Sequence, residues 1–171
     1  MKFSNNTCND KLNKIIIVIM LIIIIILVGY IIYDQINEHF NDKDPKLSEL
    51  KDKLKLLFFN KEKSGKKWTG YLESLNNRKD ILEKINLYVG SKSYTINKSR
   101  IYMCLKDEND KYYDDNSLMF VLLHELSHVI CTSIGHTTEF QNIFNDLLIE
   151  AENVGIYDSK IPMIKKYCGH D

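Results

Sequence analysis

The sequence predicts an α+β fold, a small antiparallel sheet packed on a central helix and further helices, behind a single N-terminal transmembrane helix. Three observations carry that reading. Residues 15–32 are an uncharged run of eighteen, residues between Asn86 and Lys106 alternate β-branched and aromatic side chains, and residues 118–134 are apolar on most sides. The chain has 171 residues, and the 139 that follow position 32 suffice for one compact domain with a core but not for two. Its 23 basic and 23 acidic residues cancel, which argues against a wholesale polyanion binder or a self-repelling disordered chain.

The first element is the apolar run. Eighteen helical residues at about 1.5 Å each span about 27 Å, close to the roughly 30 Å of a bilayer's hydrocarbon core, with Tyr30 and Tyr33 placed for the interface. A cleaved signal peptide has a shorter apolar region ending in small residues, whereas Ile, Tyr and Asp34 follow here, so the helix reads as an uncleaved single-pass anchor. The expected organisation is a polar tail over 1–14, the spanning helix over 15–33, a stalk over 34–45 and one domain over 46–171. Lys2, Lys11 and Lys14 before the anchor balance Lys43, Lys46 and Lys51 after it. The acids Asp34, Glu38, Asp42 and Asp44 lean the assignment toward a cytoplasmic N-terminus, although acids weigh little in the positive-inside rule. Cys8, Cys104, Cys131 and Cys168 show no CxxC spacing, are too sparse for a disulfide scaffold and do not settle the compartment. Asn97-Lys98-Ser99 is a glycosylation acceptor pattern that would report topology.

Asp44-Pro45 ends the stalk, and Leu47, Leu50, Leu54, Leu57 and Phe58 then recur at helical spacing to about Phe59. Residues 46–67 hold eight lysines against three acids, which suits either anionic lipid or, the preferred reading, a solvated lysine face. Residues 61–67 read as a loop, and of 68–85 only 78–85 reads as helix. Leu87-Tyr88-Val89, Tyr94-Thr95-Ile96 and Ile101–Leu105 are the strand candidates, separated by turns at Gly90-Ser91 and Asn97-Lys98-Ser99. After a polar loop over 107–115, Asn116 or Ser117 is placed to cap the apolar helix.

Inside that helix stands His124-Glu125-Leu126-Ser127-His128, an H-E-x-x-H pattern that composition alone would produce only about 0.01 times in this chain. Four residues apart on a helix, the two imidazoles lie one above the other and can reach one metal ion. Glu125 flanks the same face, where a carboxylate can serve as a base without becoming a ligand. A core helix with two incidental histidines would have to satisfy each buried polar group separately, at about 1–3 kcal/mol apiece. A catalytic zinc site takes three protein ligands. His136, brought round by Gly135 in a left-handed turn, is the best third donor, and Glu139 and Cys131 compete. Downstream, Phe140, Ile143, Phe144, Leu147, Leu148, Ala151 and Val154 mark one face of an amphipathic helix, with Asp146 and Glu150 on a solvated flank. From Lys106 onward twelve acids face five lysines, which argues against nucleic acid as a partner near the site. Tyr157 and Tyr167 could supply a phenol to an oxyanion, but ordinary packing is the preferred reading for both. Met163 reads as packing and His170 as tail.

With these residues assembled, the run from Tyr94 to Phe140 resembles the zincin metallopeptidases. It is most similar to the WLM and SprT-like group, and within it to small WLM-like enzymes of large DNA viruses, several of which carry an N-terminal anchor. The resemblance covers roughly residues 87–169, the expected core of the domain. It implies a minimal zincin-like domain that is a membrane-anchored zinc-dependent peptidase of the host or virion membrane, acting on a protein or peptide substrate. It also implies His124, His128 and His136 as Zn²⁺ ligands and Glu125 as general base. Zinc would bring the pKa of a water toward 7, and Glu125 would take its proton and return it to the leaving amine. The strand Ile101–Leu105 would be the sheet edge that takes an extended substrate by strand addition. The third histidine stands eight residues after the second, rather than six as in metzincins, so the turn must differ. The alternative reading is a non-catalytic membrane adaptor stapled by zinc.

Overall fold

The computed structural model describes residues 5–41, 43–78 and 80–169, with the side chains of 12–33, 43–78 and 80–169. His170 and the side chain of Cys8 lie outside the described residues. The chain forms two units, Met1–Phe40 and Asn41–Asp171. The first is carried by helix α1, Asn5–Asn41. Within α1, Leu12–Tyr33 is 22 residues with no part buried, about 33 Å of apolar helix and long enough to cross a bilayer. A water-soluble helix would turn one face inward; this one exposes Ile and Leu on every side and is a single-pass anchor.

The second unit opens with α2, Pro45–Lys63, whose proline occupies the first turn and whose Asp44 carboxylate accepts the Lys46 backbone N–H at 2.8 Å. Leu47, Leu50, Leu54 and Leu57 form its buried stripe. The helix runs on through Lys61 and Lys63, into the stretch expected as loop, and the Lys61 ammonium pairs with Glu150 and covers the Trp68 ring at 4.8 Å. A 3₁₀ helix over Gly70–Asn77 and a single turn, α3, over Ile81–Lys84 follow. Asn76 brackets the Trp68 backbone by accepting its N–H at 2.8 Å and donating to its carbonyl at 2.9 Å. Asp146 accepts the Tyr71 N–H at 3.3 Å, so Asp146 and Glu150 are used in packing rather than left to solvent.

Three strands form one sheet in the order β1-β3-β2: β1 Asn86–Val89, β2 Tyr94–Ile96 and β3 Arg100–Met103. β2 and β3 make the expected hairpin, with Asn97 and Lys98 both at positive φ (50° and 52°) and Ser99 N–H donating to the Ile96 carbonyl at 3.2 Å. That pairing of positive angles is a type I′ turn. The sheet is mixed rather than wholly antiparallel, because β1 lies parallel to β3. The physical cause is the short link at 90–93, which crosses the end of β3 and delivers β2 to its far side. Gly90 N–H donates to the Met103 carbonyl at 2.9 Å, and Ser93 Oγ accepts the Cys104 N–H at 3.0 Å. A Cβ at Gly90 would meet the Lys92 carbonyl oxygen at 2.8 Å and the Tyr102 Cβ at 3.1 Å, so only glycine lets the chain pass so close. As the central strand, β3 has no free edge; β2 is the edge strand on the side of the functional helix.

That helix, α4, spans Asp115–Ile130. Its cap is Asp114, two or three residues before the expected Asn116 or Ser117, accepting the Ser117 N–H at 2.8 Å and the Ser117 hydroxyl at 2.7 Å. It also ends earlier than expected, at Ile130 rather than at 134. Leu118, Met119, Leu122, Leu123 and Leu126 on α4 are all 0% exposed, and α4 is the centre of the core. Helix α5, Thr138–Asn153, is capped by Thr137 and packs on α4 through Phe140, Ile143, Leu147 and Ala151. The C-terminal segment returns to the end of β3, where Cys104 and Cys168 form a disulfide that the cysteine spacing did not reveal.

Candidate metal centre

His124 and His128 stand one turn apart on α4, their ring centroids 5.2 Å from each other. His136 arrives from the loop between α4 and α5, where Gly135 has the left-handed φ of +84° expected of it. Its ring lies 4.9 Å from that of His124 and 5.0 Å from that of His128, and its Nε2 is 3.1 Å from the His124 Nε2. One ring nitrogen from each of the three can be chosen so that all lie within 4.8 Å of one another. No fourth His, Cys, Asp or Glu joins them among the described residues. Phe140, on the first turn of α5, packs against all three rings at 4.9, 4.3 and 4.8 Å and fixes them from one side.

The loop carrying His136 is held by its own polar residues. Glu139 accepts from the Thr132 N–H at 3.1 Å, from the Thr132 hydroxyl at 2.8 Å and from the Ser133 hydroxyl. These bonds, the Ser133 hydroxyl first, hold its carboxyl down at about 2. Glu139 is therefore spent on the loop and is not placed among the imidazoles. Cys131, the other competitor, has left the helix and is buried, its Sγ 3.8 Å from the Ser133 Oγ. The Lys98 ammonium donates to the carbonyls of Cys131 and, at 3.0 Å, Thr132, satisfying the C-terminal end of α4 from the β2–β3 turn.

Burial sets the charge of the group. It lowers the pKa of His124 to about 4, helped by His128 and His136, and lowers that of His128 as well, helped by His136 and Lys98. At neutral pH these rings are neutral, with lone pairs available as ligands. Four-coordinate zinc at about 2.0–2.1 Å from each nitrogen separates its ligand nitrogens by about 3.3 Å, close to the 3.1 Å seen between His124 and His136. Three imidazoles, with no fourth protein donor among the described residues, fit a catalytic Zn²⁺ site. Glu125 is only 5% exposed, and burial pushes its pKa up while a hydrogen bond from Thr95 pulls it down. The Thr95 hydroxyl lies 2.8 Å from the Glu125 Oε2 and 3.1 Å from the Glu125 carbonyl oxygen. Thr95 sits on β2, so the edge strand and the carboxylate are joined directly.

Thr95 was not found from the sequence, since a threonine thirty residues before a helix gives no local signal of contact with it. Tyr167 turns its hydroxyl to the Cys104 carbonyl at 2.5 Å and to Ser93 Oγ at 2.9 Å, and burial raises its pKa to about 12. It serves the C-terminal segment. Tyr157 packs beside Phe120 at 6.0 Å, which is the packing expected of it. A cavity of about 1250 Å³ near the disulfide, lined by Asp44, Lys106, Tyr112 and Tyr113 among others, is separate from His124, His128 and His136, none of which lines it.

The chain is 47% identical over 125 residues to uncharacterized protein 136R of Invertebrate iridescent virus 6, covering 71% of this chain and 70% of the relative. It is 46% identical over 100 residues to uncharacterized protein 042R of Invertebrate iridescent virus 3, covering 58% of this chain and 62% of the relative. With uncharacterized protein R325 of Acanthamoeba polyphaga mimivirus it shares 35% over 94 residues, 51% of this chain and 46% of the relative. No protein-family model matches the chain. No solved structure matches it either.

Proposed function

The chain belongs to the family of Invertebrate iridescent virus 6 protein 136R, and from that premise we propose that it acts as a zincin of the WLM and SprT-like group. In coarser terms it is a zincin-like, membrane-anchored, zinc-dependent metallopeptidase of the kind encoded by large DNA viruses. The observation that carries this is the convergence of His124, His128 and His136 beside a buried Glu125. We read its organisation as a tail over 1–14, the anchor over 15–33, a stalk over 34–45 and a peptidase domain over 46–171 with its core at 87–169.

His124, His128 and His136 would hold the ion. Zinc supplies, when bound, a Lewis acid that makes water acidic near pH 7 and polarises a carbonyl. Glu125 acts as the general base: with Oε2 engaged by Thr95, Oε1 is left to accept a proton from water and pass it to the leaving amine. The buried position of Glu125 keeps bulk water from competing for that proton. A protein or peptide substrate would lie extended along β2. This replaces the strand 101–105 expected for that task, which is paired on both sides in the sheet. Nucleic acid remains an unfavoured partner, because the half of the chain that carries the site is acidic. A zinc staple without catalysis would call for a fourth protein ligand, and the donor set among the described residues has three.

The test compares wild type with Glu125→Gln for bound zinc and for cleavage of a denatured protein mixture. Stoichiometric zinc in both, with cleavage by wild type alone, is the expected result. Equal cleavage by both would remove Glu125 from the reaction, and zinc without cleavage in either would leave the staple.

A further inference from the structure

We propose that this domain folds on the lumenal or extracellular side of its membrane, with the N-terminus cytosolic, and that Asn97 is an acceptor for N-linked glycan. The Cys104–Cys168 disulfide points to that side of the membrane, and an exposed sequon on the same domain supplies the acceptor. The bond joins residues 64 apart at a Cα–Cα distance of 6.3 Å. Disulfides form and persist in oxidising compartments and are rare in a reducing cytosol. The pair sits in a built setting: the Tyr167 hydroxyl bonds the Cys104 carbonyl, the Tyr113 hydroxyl accepts the Cys168 N–H at 2.9 Å, and the two phenol rings pack at 4.9 Å. The C-terminal segment is thus docked on the end of β3 by contacts that bring the two thiols together.

The acceptor lies in the sequon Asn97-Lys98-Ser99 at the tip of the β2–β3 hairpin. Asn97 is exposed there, whereas its neighbour Lys98 is tied to the end of α4. An exposed loop tip is where a bulky polar sugar is accommodated without disturbing a core. The transfer balances simply. The Asn97 Nδ2 bonds to the anomeric carbon of a polyprenyl-diphosphate-linked oligosaccharide, the bond from that carbon to the diphosphate oxygen breaks, and Nδ2 gives up one proton. In the same compartment the Cys104 and Cys168 thiols pass two electrons and two protons to the disulfide of a thiol oxidoreductase, which leaves as the dithiol. The glycan would stand two residues from Thr95, at one end of the strand beside the metal centre. None of this depends on the peptidase reading.

The tail carries its own sequon, Asn5-Asn6-Thr7, on the other side of the anchor, so the two orientations offer different acceptors. The full chain is expressed in eukaryotic cells and recovered in sealed microsomes. Expected is a gel shift of one glycan, removed by endoglycosidase, absent in both Asn97→Gln and Ser99→Ala, and kept in Asn5→Gln. External protease should spare residues 43–169 until detergent is added, and peptide mapping without reductant should recover Cys104 linked to Cys168. Digestion of the domain in sealed vesicles, or alkylation of both cysteines without reductant, would overturn the orientation. A protected but unshifted wild type would overturn the assignment of Asn97.

Discussion

His136 and Glu139 stand three residues apart and do opposite jobs, one turned to the metal centre and one to the loop that delivers it. His136→Ala should therefore lose bound zinc after dialysis, while Glu139→Gln should keep stoichiometric zinc and weaken only the hold on the loop. Metal analysis of the two variants separates these roles; zinc loss confined to Glu139→Gln would reverse them. Thr95→Val removes the hydroxyl from Glu125 and leaves the three imidazoles untouched. The expected outcome is unchanged zinc with kcat reduced by about tenfold, the scale of one hydrogen bond of roughly 1–1.5 kcal/mol, and recovery in Thr95→Ser. An unchanged kcat would show that Thr95 does not position the base. His124, Glu125 and His128 were legible because a helix converts their spacing directly into proximity. His136 was legible through Gly135, whose positive φ the turn uses. Thr95 was not, because its place depends on where β2 comes to lie.

At the scale of elements, α4 carries the site and is also the helix the core is built around. Leu126 lies between the two helical histidines and is 0% exposed, so Leu126→Ala should destabilise the protein by about 2–5 kcal/mol and loosen the metal site with it. Chemical unfolding in detergent measures this, and a loss below about 1 kcal/mol would mean that the helix is not central. The first turn of α4 is tied to α2 by Asp115. Side-chain hydrogen bonds from Lys46, then Lys53, lower its pKa from 3.8 to about 2. A carboxyl depressed on folding stabilises fully above its unfolded pKa, and the contribution disappears as pH falls from 3.8 through about 2. Its side chain is 47% exposed, so solvent screens the pair and the gain stays within about 1 kcal/mol at low salt. Unfolding of wild type and Asp115→Asn should differ at pH 6 and converge near pH 2. A gap that widens in acid would contradict the assignment. Alternation made all three strands legible, yet not their order. The crossing of β3 by residues 90–93 is a tertiary event, visible in the sequence only as the turn expected at Gly90-Ser91.

For the whole molecule, one unit is an apolar anchor helix, and in the other a small mixed sheet and the helices packed on it present a metal centre whose parts come from α4, the loop after it and the edge strand. The membrane helix and the class of fold were legible because each is written in the local periodicity of its residues. The disulfide was not, since two cysteines 64 residues apart carry no spacing signal. The central claim is that three imidazoles, and no sulfur, hold a zinc ion with room left for the reactants. X-ray absorption on the zinc-loaded protein tests it most directly. The account predicts a first shell of nitrogen and oxygen alone at about 2.0–2.1 Å, with the multiple scattering of three imidazoles. A sulfur shell near 2.3 Å, or a fourth imidazole closing the site, would contradict it.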